Sequence, residues 1–177
     1  MDSCLPGWRR RGPGADGRDL AAALQTIIEI GLTDALHETI EDAFPGSRLQ
    51  VIETRGRFDL ELSAHGLLRP LSAAELSDGT LRYLLLVAAL LSPRPPSLMV
   101  LNEPETSLHV DLLPALARLI TRASEHTQIV VVTHARGLVE ALTATGAQPL
   151  CLVKDFGATT LEGVGPLEEP AWNWGSR

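Results

Sequence analysis

Two short apolar runs, each ending abruptly in polar residues, constrain this chain more than anything else in it. Residues 97–101 run into Asn102-Glu103-Pro104-Glu105, and residues 128–132 run into Thr133-His134. Near-continuous apolar strands of this kind belong in a sheet covered on both faces. Between them, residues 110–124 carry Leu112, Leu113, Leu116, Leu119 and Ile120 at helical spacing, with Pro114 in the first turn, where a missing N–H is tolerated. A helix at 80–91, stopped by Ser92-Pro93-Arg94-Pro95-Pro96, comes before; a helix at 137–143 and a strand at 149–153 come after. Strand and helix alternate, so the spacing predicts an α/β domain with a parallel sheet flanked by helices.

The first half differs. Leu20, Ala23, Leu24, Ile27 and Ile28 mark a helix over 19–30, with Gly31 as its stop. Leu36, Ile40 and Phe44 mark a second over 33–44, with Thr33 as candidate N-cap, Asp34 at its positive start and Pro45-Gly46 ending it. Phe58, Leu60 and Leu62 alternate cleanly with Asp59, Glu61 and Ser63, and a more blurred strand covers 49–53. Arg55-Gly56-Arg57 joins them as a hairpin turn, and a third short strand is expected over 67–71.

At 177 residues, 45% hydrophobic with a net charge of -7, the chain reads as one globular domain over 16–177. Residues 1–15, rich in Gly, Pro and Arg, read as a disordered lead-in in which Trp8 and three arginines are a solvated tail rather than a phosphate contact. The acidic balance and 4% aromatic content argue against a nucleic-acid glove with stacking platforms. The start has no signal-peptide h-region and the longest apolar run is half a membrane span, so a cytoplasmic protein is expected. Its two cysteines, Cys4 and Cys151, then read as reduced thiols, Cys151 inert in a strand.

Three segments carry chemistry. Ser77-Asp78-Gly79 precedes a helix, where the positive end binds anions and Gly79 permits close backbone approach. By itself this is a cap and a turn. Glu103 ends a buried strand, where ligands gather in parallel sheets, and suits a general base; Asn102 beside it suits a metal-bound water. His134 ends the next strand at the same sheet edge. A metal-hydrolase set of His109, Glu105, Asp111 and His134 has no H-x-x-x-H spacing and is a poor ligand set.

In this order the segments resemble the ABC-type ATPase superfamily, in the branch of the SMC and RecF proteins and the AAA-like ATPases akin to the OLD family. The resemblance covers about 16–153 and is firm from Leu76 onward. It implies ATP and Mg²⁺ as cofactors. Ser77, Asp78 and Gly79 match the signature motif, which in that family contacts the γ-phosphate of ATP held by the opposite protomer. Asn102 and Glu103 match the Walker B pair, Glu103 as catalytic base. Thr106-Ser107-Leu108-His109 matches the D-loop, placing Ser107 with the nucleotide-binding residues, and His134 matches the switch histidine. Nucleic acid is a partner by this resemblance alone.

Two departures stand out. Asn102 replaces the Walker B aspartate, and an amide attracts Mg²⁺ less than a carboxylate; Glu105 is the nearest substitute. The phosphate loop, G-x-x-x-x-G-K-[ST], is absent, because the one lysine, Lys154, follows Val153. The expectation is an incomplete P-loop NTPase-like domain working in a composite ATP site, with a homodimer or a partner chain bearing the Walker A motif. The alternative is a non-catalytic interaction domain, or a truncated remnant without ATPase activity, whose open sheet makes it self-associate.

Overall fold

The computed structural model describes residues 18–155 and 157–162. The expected lead-in, with Cys4, Trp8 and the arginine cluster, lies outside the described residues. Helix α1 (Arg18–Glu29) buries Leu20, Leu24 and Ile27, and Gly31 at φ 89 closes it as the sequence predicts. Helix α2 (Thr33–Ala43) buries Leu36 and Ile40 beside it. Thr33 is not its N-cap. Leu32 holds that position, and the Thr33 hydroxyl instead donates to the Ile28 carbonyl at 3.3 Å. The link is so short that Thr33 is already helical, and its hydroxyl is used to close the preceding helix.

Strands β1 (Ser47–Thr54) and β2 (Arg57–Ala64) form the expected antiparallel hairpin. Arg55 and Gly56, at φ 54 and 73, are the two positive-φ residues of a tight primed turn. The third strand is shorter than expected and shifted. Only β3 (Leu71–Ser72) pairs with β2, and Leu68 stands fully exposed. Pro70 has no N–H for a ladder and restricts Arg69, so pairing begins only beyond it.

A 3-10 turn, Ala73–Glu75, then leads into α3 (Asp78–Leu90). The turn is fixed by one carboxylate: Arg69 Nη1 and Nη2 donate to Glu75 at 3.0 and 2.6 Å, and the Ser72 amide and hydroxyl at 3.0 and 2.9 Å. The Arg69 hydrogen bond, then those from Ser72, hold the Glu75 carboxyl down from 4.5 to about 2. Because the folded value is depressed, the contribution is present above the ordinary carboxylate range and is lost as pH falls from about 4.5 toward about 2. An NMR titration should find the Glu75 carboxyl midpoint near 2; a midpoint near 4.5 would show that the network does not form in solution.

Helix α3 is the centre of the core, with Tyr83, Leu84 and Val87 fully buried; the Tyr83 ring meets Phe44 edge-on at 5.5 Å. Helix α4 (Leu113–Ser124), entered through a 3-10 turn (Val110–Leu112), buries Leu116 and Leu119. On α4, Arg118 makes a two-pronged bond to Asp42 of α2 at 2.8 and 2.7 Å, and Arg122 reaches Glu38 at 3.1 Å. These exposed pairs set how α2 lies on α4 more than they add stability.

The parallel sheet consists of β4 (Leu98–Asn102) and β5 (Gln128–Val132), followed by α5 (Arg136–Ala144). Its inner face, Met99, Leu101, Ile129 and Val131, packs on the core. The outer face is not covered among the described residues: Val100 is 59% exposed and Val130 43%, with Leu98 and Val132 similarly open. Of the two covered faces expected, the described residues cover the inner one. An unbroken apolar run tells that both faces are greasy, not that both have a neighbour in these residues. The last strand also differs: β6 (Leu152–Asp155) is antiparallel to β7 (Ala158–Leu161), a separate hairpin, and Cys151 lies exposed just before it rather than inert within a strand. No helix among the described residues is long and apolar enough to cross a membrane.

Candidate functional site

Two groups of side chains assemble at the ends of α3, β4 and β5. The first is built on the start of α3. Ser77 is its N-cap: Ser77 Oγ accepts from the Thr80 amide at 3.1 Å and lies 2.8 Å from Thr80 Oγ1. The first amides of the helix, of Asp78 and Gly79, have no helical acceptor and carry the positive end of the dipole. They border an open depression of about 650 Å³, lined also by Phe44, Ser107, His109 and Asp111.

Gly79 has a second use. A Cβ at this position would lie 2.7 Å from the Ser107 carbonyl oxygen. The glycine therefore lets the 103–108 loop close onto the helix start, which puts Ser107 beside Ser77-Asp78-Gly79. His109 caps the next turn, with Nδ1 accepting from the Asp111 amide at 3.3 Å.

The second group sits at the strand ends. Asn102 is the last residue of β4, opposite Val132 and on the open face. The Glu103 amide donates to the Val132 carbonyl at 2.7 Å, continuing the parallel ladder by one step. Glu103 itself takes φ 45 and Ser107 φ 68, left-handed values uncommon for residues with a Cβ. Such backbone strain concentrates where a side chain must be aimed. The outcome is that Glu103 Oε1 and His134 Nδ1 stand 3.3 Å apart, both well exposed.

The seven residues singled out in the sequence thus separate into a helix-cap group (Ser77, Asp78, Gly79, Ser107) and a strand-end group (Asn102, Glu103, His134). None of Asn102, Glu103 and His134 lines the depression. The 103–108 loop is shared by both groups.

Some contributors carried no usable signal in the sequence. Phe44 was visible only as the end of a helical stripe. Thr133 passed as a strand end, yet its hydroxyl donates to Glu105 Oε1 and accepts from the Ala135 amide at 3.0 Å. That bond turns Glu105 inward, so it is not a free carboxylate in place of the one Asn102 lacks. His109 and His134 belong to different groups, and no cluster of three or more His, Cys, Asp or Glu that could hold a metal ion occurs among the described residues. The metal-hydrolase set is not assembled, and these side chains alone do not form a Mg²⁺ site. An anion is a different matter, since the free amides at the start of α3 fit one.

Residues 3–140 match the family model described as "AAA domain, putative AbiEii toxin, Type IV TA system". No curated protein matches the sequence. Among solved structures the fold is similar to that of an SMC ATPase characterised for ATP-driven dimerisation and DNA-stimulated activation, with a TM-score of 0.58 at 14% identity over 80% of this chain and 87% of that one. It is also similar to an Smc head domain with an extended coiled coil from Pyrococcus furiosus, bound to the C-terminal domain of ScpA, with a TM-score of 0.61 at 14% identity over 82% of this chain. The SMC head domain from Thermotoga maritima gives a TM-score of 0.52 at 20% identity over 80% of this chain. The chain spans 37% of the Pyrococcus structure and 51% of the Thermotoga one. At these identities the likeness is one of fold.

Proposed function

Because the chain belongs to this AAA-domain family, we propose that it supplies the signature cap and the hydrolytic pair of a composite ATP site. The phosphate loop of that site comes from outside these 177 residues, either from the rest of a longer chain or from a partner. The observation that carries the reading is the 3.3 Å approach of Glu103 Oε1 to His134 Nδ1 at adjacent strand ends.

Glu103 takes the proton of the attacking water, a role that needs an exposed carboxylate at a strand end. His134 orients that carboxylate and meets the terminal phosphate. The amides of Asp78 and Gly79, with Ser77, bind phosphate oxygens at the positive end of α3. Ser107 joins them through the contact its carbonyl makes with Gly79. Asn102 orients a water of the metal shell. When bound, Mg-ATP would supply the scissile phosphoanhydride and a cation to screen its charge; the side chains described above do not by themselves form a site for that cation. DNA is a further partner in this reading, by the likeness to SMC ATPases.

The open face of β4 and β5 also favours a second reading, a docking domain without catalysis. Titration calorimetry separates the two. The purified chain alone should bind Mg-ATP poorly, because tight binding of the β- and γ-phosphates comes from the loop it lacks. Adding a phosphate-loop-bearing AAA protein from the same cell should raise that protein's ATP turnover, and Ser77→Ala should abolish the increase. Association without any change in turnover would favour the docking reading.

A further inference from the structure

Glu103 and His134 are exposed side chains, so no packing orients them, yet they face each other. Their alignment has to come from the backbones beneath. Two links join those backbones: the ladder bond from the Glu103 amide to Val132, and the bond from the Thr133 hydroxyl to Glu105. We propose that Glu105 and Thr133 are positioning residues, a latch that holds Glu103 against His134. The proposal rests on the reading of that pair as the hydrolytic centre and adds residues that the pair depends on.

The geometry brackets both partners. Glu105 lies two residues past Glu103, across the fully buried Pro104, whose ring fixes φ. Thr133 immediately precedes His134, and the Thr133 hydroxyl also accepts from Ala135, immediately after it. The 103–108 loop is then closed on itself by Thr106 N–H to Glu103 O at 3.1 Å and Leu108 N–H to Glu105 O at 2.9 Å. A pull on Glu105 is therefore a pull on Glu103, whose φ of 45 is a conformation it would otherwise leave.

The latch also has a cost. Glu105 Oε2 is shut off from solvent with no hydrogen-bond partner. A carboxylate oxygen so placed opposes folding, and a loop that merely connected β4 to α4 would do better with an apolar residue there. What the inward turn achieves is the bond to Thr133, and so the alignment.

The test needs no nucleotide. The ring ¹H–¹⁵N signals of His134, assigned by their loss in His134→Gln, are recorded with and without Glu103→Gln. In the wild-type background the substitution should move them, because the two groups touch. In Thr133→Val, which keeps the shape but not the hydroxyl, it should leave them unmoved; Thr133→Ser and Glu105→Gln, which keep the donor and an acceptor, should restore the wild-type response. Should Thr133→Val not fold, Glu105→Ala carries the same expectation. An equal response in the latch-deficient chain, or none in the wild type, overturns the proposal. Either result leaves the ATPase reading standing, whereas failure of a phosphate-loop partner to respond would overturn that reading without changing the His134 signals.

Discussion

Glu103→Gln is expected to lower turnover of the completed ATP site by about 10²- to 10⁴-fold, the usual contribution of a general base. Nucleotide binding should be retained. The amide is nearly isosteric, so it can stand at the same position beside His134, but it cannot take a proton from water. The loss should therefore appear in kcat with KM little changed, which marks an interaction made in the transition state. No second carboxylate at the strand ends is free to replace the base. Asn102 is an amide, and the Glu105 carboxylate is turned inward onto Thr133. Single-turnover hydrolysis with the phosphate-loop partner present is the measurement. Turnover within tenfold of the wild type would remove Glu103 from the role.

On the proposed reading, the same geometry explains why hydrolysis would need a second contributor. The chain presents two half-sites joined by one loop: an anion-binding helix start on one side of 103–108, and a base with its histidine on the other. On that reading neither half completes the site alone, since the helix start has no base and the strand ends offer only carboxylate, amide and imidazole. The apolar outer face of β4 and β5 points to the same incompleteness. Among the described residues the outer edges of β4 and β5 are unpaired, which makes them a fragment of a sheet, and Val100 and Val130 sit where a further covering layer would bury them.

How far this was legible in the sequence depended on whether a feature is local. The α3, β4, α4, β5 and α5 order was readable because periodicity and breakers are written along the chain; the sequence placed Glu103 and His134 at one sheet edge, but their 3.3 Å approach depends on which strands pair. Thr33 misled because a cap preference says nothing about how short the preceding link is. The open outer face was hidden because Val100 and Val130 look the same whether or not something covers them. The Glu105–Thr133 bond spans loops far apart in sequence, and no spacing rule reports it. Gly79 is the instructive case: the sequence offered a reason for a glycine, close approach to a phosphate, and the structure supplies another, close approach to Ser107.

Those two reasons for Gly79 make opposite predictions in the absence of nucleotide. In helix α3, with φ in the ordinary range, Gly79→Ala alone should stabilise by about 1 kcal/mol through helix propensity. Were a phosphate the only neighbour, the nucleotide-free chain would gain that stability. Its Cβ, however, would lie 2.7 Å from the Ser107 carbonyl oxygen, a backbone atom that cannot turn away. Overpacking of this kind costs about 1–3 kcal/mol, and Ser107, at φ 68, has little room to adjust. The clash should win by up to about 2 kcal/mol, lowering Tm by roughly 2–4 °C per kcal/mol for a chain of this size. Gly137→Ala is the control. Its methyl meets only the flexible end of Leu113, at 3.3 Å, so the propensity gain should roughly offset the crowding. Gly79→Ala melting below the wild type while Gly137→Ala does not would establish that the signature glycine holds the 103–108 loop against the helix. If Gly79→Ala melts higher, the loop yields freely, and the two half-sites are not tied together at Ser107.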